Sequence, residues 1–119
     1  MEVGELIGYR AWLWKAPYLH SITQSEYKWD YDQPAGGDSL SSSGGIYSFA
    51  DMKTLKAELK LDCGIGYVYG SIYIWGEVIT HETGYRAQYA RIRSLDGIWA
   101  VPWSWHKIAQ IRKFYKLEE

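Results

Sequence analysis

The 119-residue sequence predicts an α+β fold: a small, twisted antiparallel β-sheet that can curl towards a barrel, with one middle helix and one C-terminal helix. Three observations carry that expectation. Tyr67 to Arg93 alternates with period two and is rich in β-branched and aromatic residues, the mark of strands. Met52, Leu55 and Leu59 recur at helical spacing while Lys53, Lys56 and Lys60 face away. Ile108, Ile111 and Tyr115 repeat that spacing near the C-terminus. A chain of this length reads as a single domain, 1–119, able to bury a core without disulfides.

In chain order, Glu5 to Trp14 reads as the first strand. Tyr9, Ala11 and Leu13 fall on one side; Arg10, Trp12 and Trp14 fall on the other. Pro17 ends it, because proline cannot donate to a ladder. Tyr18 to Thr23 reads as a short second strand. Gln24 to Gly45 has loop composition, with Trp29, Tyr31, Pro34, three aspartates and a Ser/Gly run. Loops this long are uncommon in compact domains and are functional or mobile. Ile46 to Phe49 leads into the middle helix, where Ser48 followed by Asp51 has the spacing of a capping box. Asp62, Cys63 and Gly64 end that helix.

The central strand follows, with Val68, Gly70, Ile72, Ile74, Gly76 and Val78 on one face. His81 to Gly84 reads as a hairpin loop with Gly84 at positive φ. Tyr85 to Arg93 returns as its partner strand. Asp96-Gly97 is a tight-turn signal, so Ile98 to Val101 is expected to pair back as a short strand closed by Pro102. Ser104 is placed to cap the final helix, Trp105 to Leu117.

Composition narrows the function classes. Net charge is −1, so no global field points to a polyanion. Cys63 is alone, which removes an intramolecular disulfide and a cysteine-built zinc site and fits a reducing compartment. The N-terminus shows no secretory pattern and no window approaches a membrane span, so the expectation is a soluble, cytoplasmic protein with no membrane partner. His20, His81 and His106 share no ligand spacing, so no metal site is expected. Gly64-x-Gly66-x-x-x-Gly70 does not open a helix after a strand, so neither a nucleotide loop nor any other cofactor site is expected.

What remains is aromatic. The chain holds 7 Trp and 11 Tyr against 2 Phe, and these side chains combine a large apolar face with a polar handle. Lacking a catalytic constellation, it reads as a non-enzymatic binding or interaction module with a protein as the expected partner. Trp29 and Tyr31 are the expected exposed anchors. Charge distribution supplies an alternative. Residues 84–117 carry seven Lys/Arg against Asp96, whereas residues 1–50 are acidic. Arg86, Arg91, Arg93, Arg112 and Lys113, interleaved with aromatics, suit single-stranded nucleic acid through phosphate contacts and base stacking.

A second alternative is a small hydrolase-like enzyme using His81 and Glu82 as base and orienter. Neighbours on a strand point to opposite faces, so this pair acts together only within a loop. No G-x-S-x-G is present, and Tyr85 stands where H-E-x-x-H needs histidine. Gly8-Tyr9-Arg10-Ala11 also recurs as Gly84-Tyr85-Arg86-Ala87. Arg10 and Arg86 form one positive spot if both strands present them on the same side. The competing expectation pairs them with Glu5, Glu77 or Glu82.

The strings GYRAW (8–12), GIYSFADM (45–52) and YGSIYIWGEVITHETGYRAQYA (69–90) resemble a family of small uncharacterised bacterial and phage-borne proteins. Its members share GxRAW, CxCGIYAF and WGxVxEHExGYRAEYA motifs, and the likeness covers most of residues 8–95. Ser42 and Gly44 stand where that pattern has two cysteines, so no metal or redox role of those cysteines carries over. The resemblance implies a shared fold unit and a phage or mobile-element origin. It implies no activity.

Overall fold

The computed structural model describes residues 6–22, 27–30, 34–36, 45–61, 67–98 and 105–117. The elements are β1 (Leu6–Lys15), β2 (Tyr18–His20), β3 (Lys28–Trp29), β4 (Ala35–Gly36), β5 (Ile46–Phe49), α1 (Met52–Leu61), β6 (Val68–Thr80), β7 (Gly84–Ile98) and α2 (Trp105–Phe114). This is the expected α+β architecture: a mostly antiparallel sheet with one middle and one C-terminal helix.

The two longest strands, β6 and β7, form the backbone of the fold. They pair from Val68↔Ile98 to Thr80↔Tyr85. β1 pairs with the other edge of β6 from Leu6↔Ile74 to Trp12↔Val68. β5 pairs with β7 over Ile46↔Ala87 to Phe49↔Gly84, and meets β1 at Tyr9↔Phe49. Strands β1, β6, β7 and β5 therefore close a ring, and closure removes most of the free sheet edge. The β1–β2 connection turns at Ala16-Pro17, with Pro17 cis, and β3 adds to β2.

The alternating pattern decides what fills the ring. Val68, Ile72 and Ile74 of β6 are buried, with Trp12 of β1, Ala87, Ala90, Ile92 and Leu95 of β7, and Ile46 of β5. Helix α2 adds Ile108 and Ile111 to the same core, and Tyr115, just past its end, joins them. On the opposite, outer face, α1 rests Leu55 against Ala11, with Tyr9, Phe49, Tyr67 and Tyr69 around it. Asp51 caps α1, its Oδ1 accepting from the Thr54 N–H at 2.7 Å. Register shifts between Tyr69/Gly70, Ser71/Ile72 and Trp75/Val78 bend the ribbon. Gly76, at φ 78, occupies the last of these, where a β-branched residue would be strained.

Several expectations are corrected. Gly84 is absent from the positive-φ glycines, which are Gly36, Gly45 and Gly76 among the described residues. Gly84 is needed instead because β5 lies against it: a Cβ there would stand 2.0 Å from the Ser48 carbonyl oxygen. Asp96-Gly97 makes no turn; β7 continues through it with a register shift at Asp96 and Gly97 opposite Tyr69. Ladder pairing with a long partner outweighs a dipeptide's turn preference. Ser48 is buried within β5, and the helix cap is Asp51.

The 24–45 stretch contributes β3 and β4, the latter pairing Ala35↔Ala90 and Gly36↔Tyr89. Tyr31, Cys63, Pro102, Ser104 and the part of the expected last strand beyond Ile98 lie outside the described residues, as do the side chains of Leu59 and Lys60.

Candidate functional site

The outer face of the β6–β7 ribbon gathers the aromatic and basic residues that the alternation directs away from the core. Tyr73 lies in a cross-strand row between Ile7 of β1 and Arg91 of β7. One step along, Trp75 faces Tyr89, with ring centroids 5.7 Å apart and planes within 13°. Tyr73, Trp75 and Tyr89 are half-buried, whereas Arg91 and Arg93 are exposed. The bulge at Ser71/Ile72 leaves Arg93 beside Ser94 on this face. There the Arg93 guanidinium donates to Ser71 Oγ at 3.2 Å, and the Ser71 and Ser94 hydroxyls share a 2.6 Å hydrogen bond. Two exposed residues carrying guanidinium groups thus stand next to a stacked aromatic pair and a tyrosine, on strands paired from Ile72↔Ile92 to Trp75↔Tyr89.

The same face continues across β1. The row Ser94–Ser71–Tyr9–Phe49–Gly84 crosses four strands. Its far end opens into a cleft of about 400 Å³ between the sheet and α1. Tyr9, Ala11, Ile22, Phe49 and Leu55 supply apolar wall, while Tyr47, Glu58, His81 and Thr83 supply polar groups. Tyr47 is 52% exposed and its ring lies nearly parallel to that of His81, 6.4 Å away at 20°. The volume falls within the ~300–1,000 Å³ of small-ligand sites.

Arg10 also borders the cleft, but its side chain is turned inward. Its guanidinium donates to the Tyr47 carbonyl at 2.6 Å and to Ser21 Oγ at 3.1 Å, and lies 5.0 Å over the Trp29 ring. Trp29 Nε1–H donates to the same Ser21 oxygen. Burial pushes the Arg10 pKa down to about 10, opposed in part by Tyr27. Arg10 ties β1 to β5 and to the β2–β3 segment, and these contacts engage its charge.

The predicted site residues separate accordingly. Trp29 is corrected from exposed anchor to core: it is 2% exposed and meets Trp12 edge-on at 5.4 Å. Its large indole belongs to the core cluster with Trp12 and Leu19, where burial of its apolar face outweighs exposure. Tyr31 lies outside the described residues. Arg86 is 8% exposed and lies on the outer face between Tyr47 and Ile79, whereas Arg10 lies on the inner face, so the two form no common positive spot.

Arg91 and Arg93 are brought together. Arg112 is drawn to the Leu95 carbonyl at 2.8 Å, and Lys113 is exposed beside it at the end of α2, which packs on the core rather than on the aromatic face. His81 and Glu82 are both exposed in the β6–β7 connection, and only His81 borders the cleft. Sequence reasoning missed Tyr73 and Trp75 as site residues. Their odd-numbered alternation with Tyr69 and Ser71 was the available signal.

Among the described residues no group of three or more His, Cys, Asp or Glu side chains is placed to hold a metal ion. No described helix is long and apolar enough to cross a membrane. No family model, curated protein or solved structure matches the chain.

Proposed function

We propose that this protein is a non-enzymatic binding module that takes single-stranded nucleic acid on the outer face of β6 and β7. One observation carries the reading: exposed Arg91 and Arg93 share a sheet face with Tyr73 and the stacked Trp75–Tyr89 pair. Guanidinium groups neutralise phosphates while aromatic faces stack on unpaired bases, which a duplex keeps hidden. The overall charge of −1 does not oppose this, because phosphate contacts act within about 10 Å at 0.1 M salt.

Titration of the full chain with fluorescently labelled oligo(dT) at ~50 mM salt tests it, because phosphate contacts are strong there. Binding that quenches tryptophan fluorescence and weakens with salt is expected. An unchanged anisotropy across the titration would refute the proposal.

A protein partner is the second reading. Trp105 at 64% and Phe114 at 41% exposure on α2 favour it, in place of the buried Trp29. Capture of a protein partner lost on Trp105→Ala, together with no oligonucleotide binding, would put this reading first.

A further inference from the structure

We infer that the cleft beside α1 receives one unstacked base of the bound strand and selects for a base that carries an exocyclic amino group. This rests on the single-strand reading above and extends it to sequence preference. The cleft lies on the outside of the same ring as the aromatic–basic platform, around from it across β1. The row Ser94–Ser71–Tyr9–Phe49 leads from Arg93 directly to its wall. A strand whose phosphates rest on Arg91 and Arg93 would reach the opening by following this row around the outside of the ring.

The cleft's chemistry suits a base and not a phosphate. Tyr9 and Phe49 offer flat apolar surface, and the exposed Tyr47 ring, nearly parallel to His81, offers a stacking edge. Nucleobases extruded from a strand are held by stacking of this kind, with polar groups reading their edges. Among the described lining residues Arg10 is the one Lys or Arg, and its guanidinium is engaged by the Tyr47 carbonyl and Ser21 Oγ. The acid among the described lining residues, Glu58, is exposed on α1. A carboxylate there repels phosphate and accepts hydrogen bonds from an amino group, as glutamate does from cytosine N4. Thymine and uracil present a carbonyl at that position and leave the carboxylate unmatched.

Oligo(dC) and oligo(dT) of equal length differ at that position in the sense required. Anisotropy titrations of the full chain with each, in wild type and in Glu58→Ala, test the inference. Wild type is expected to bind oligo(dC) about tenfold more tightly, the low end of what one matched base contact discriminates. Glu58→Ala is expected to bring the two affinities together while binding persists. The substitution lies on an exposed helical position where alanine is a good helix former, and circular dichroism confirms the fold. Equal wild-type affinities would overturn the inference and leave the single-strand reading standing. So would a cytosine preference that survives Glu58→Ala. Failure to bind either oligonucleotide would overturn the parent reading and this one with it.

Discussion

Replacing Gly84 with alanine tests the ring closure that places the cleft. The added Cβ would stand 2.0 Å from the Ser48 carbonyl oxygen, 2.8 Å from Phe49 Cα and 2.9 Å from the Ser48 carbonyl carbon. All three atoms are β5 backbone, so no side-chain rotation relieves the contact. Ordinary contact begins at 3.4 Å, so β5 must retreat by about 1.4 Å. That loosens the Ser48↔Tyr85 and Phe49↔Gly84 pairs.

Overpacking costs roughly 1–3 kcal/mol, and each weakened hydrogen bond about 1 kcal/mol. The smaller unfolded-state entropy of alanine returns less than about 1 kcal/mol. The net expectation is a loss of about 3 kcal/mol, read as a lower urea midpoint at unchanged m-value. Gly84→Asn separates this cause from a turn glycine. Asparagine tolerates left-handed backbone and would be accepted at a turn, whereas here it is expected to destabilise as alanine does. An alanine variant unfolding within ~0.5 kcal/mol of wild type, the range of an uninvolved surface change, would refute the reasoning.

Three further predictions follow from other parts of the molecule. Tyr115→Phe should cost about 2–5 kcal/mol, because the buried hydroxyl accepts from the Leu19 N–H at 2.7 Å and donates to the Trp29 carbonyl at 2.6 Å, and its loss strands both; an unfolding curve superimposable on wild type would contradict it. Arg91→Ala with Arg93→Ala should leave the melting temperature nearly unchanged and flatten the log–log salt dependence of oligonucleotide binding by about 1.4, two phosphates' worth for a single strand; an unaltered slope would remove these residues from the interface.

Asp51 has its pKa held below the ordinary 3.8, first by the Thr54 backbone hydrogen bond. Its folded pKa is depressed, so its contribution is present above pH 3.8 and is lost as pH falls through the lower folded value. Asp51→Ala should therefore melt below wild type at neutral pH and converge on it in acid; a gap that stays constant with pH would count against the charged cap.

The sequence by itself determined the class of fold and the sidedness of its strands. Alternation through Val68, Ile72 and Ile74 states which face is buried, because a strand's side chains point to opposite faces whatever lies beyond it. The two helices were legible for the same reason, from Leu55 and from Ile108, Ile111 and Tyr115. Half of the candidate site was legible too: Arg91 and Arg93 stood out as basic residues among aromatics.

Partnership was not legible, because it depends on which strands meet. Trp29 reads as a loop aromatic until β3 joins β2 and the core needs a large side chain there. Arg10 and Arg86 occupy identical four-residue strings, yet one strand turns its arginine inward and the other outward. Gly84 reads as a turn glycine until β5 is laid across it at Phe49↔Gly84. The row from Arg93 through Ser71 and Tyr9 to Phe49 joins residues from four strands. Their order along the chain carries no trace of that adjacency. Only closure of the ring sets the registers that create it, and with them the cleft where the row ends.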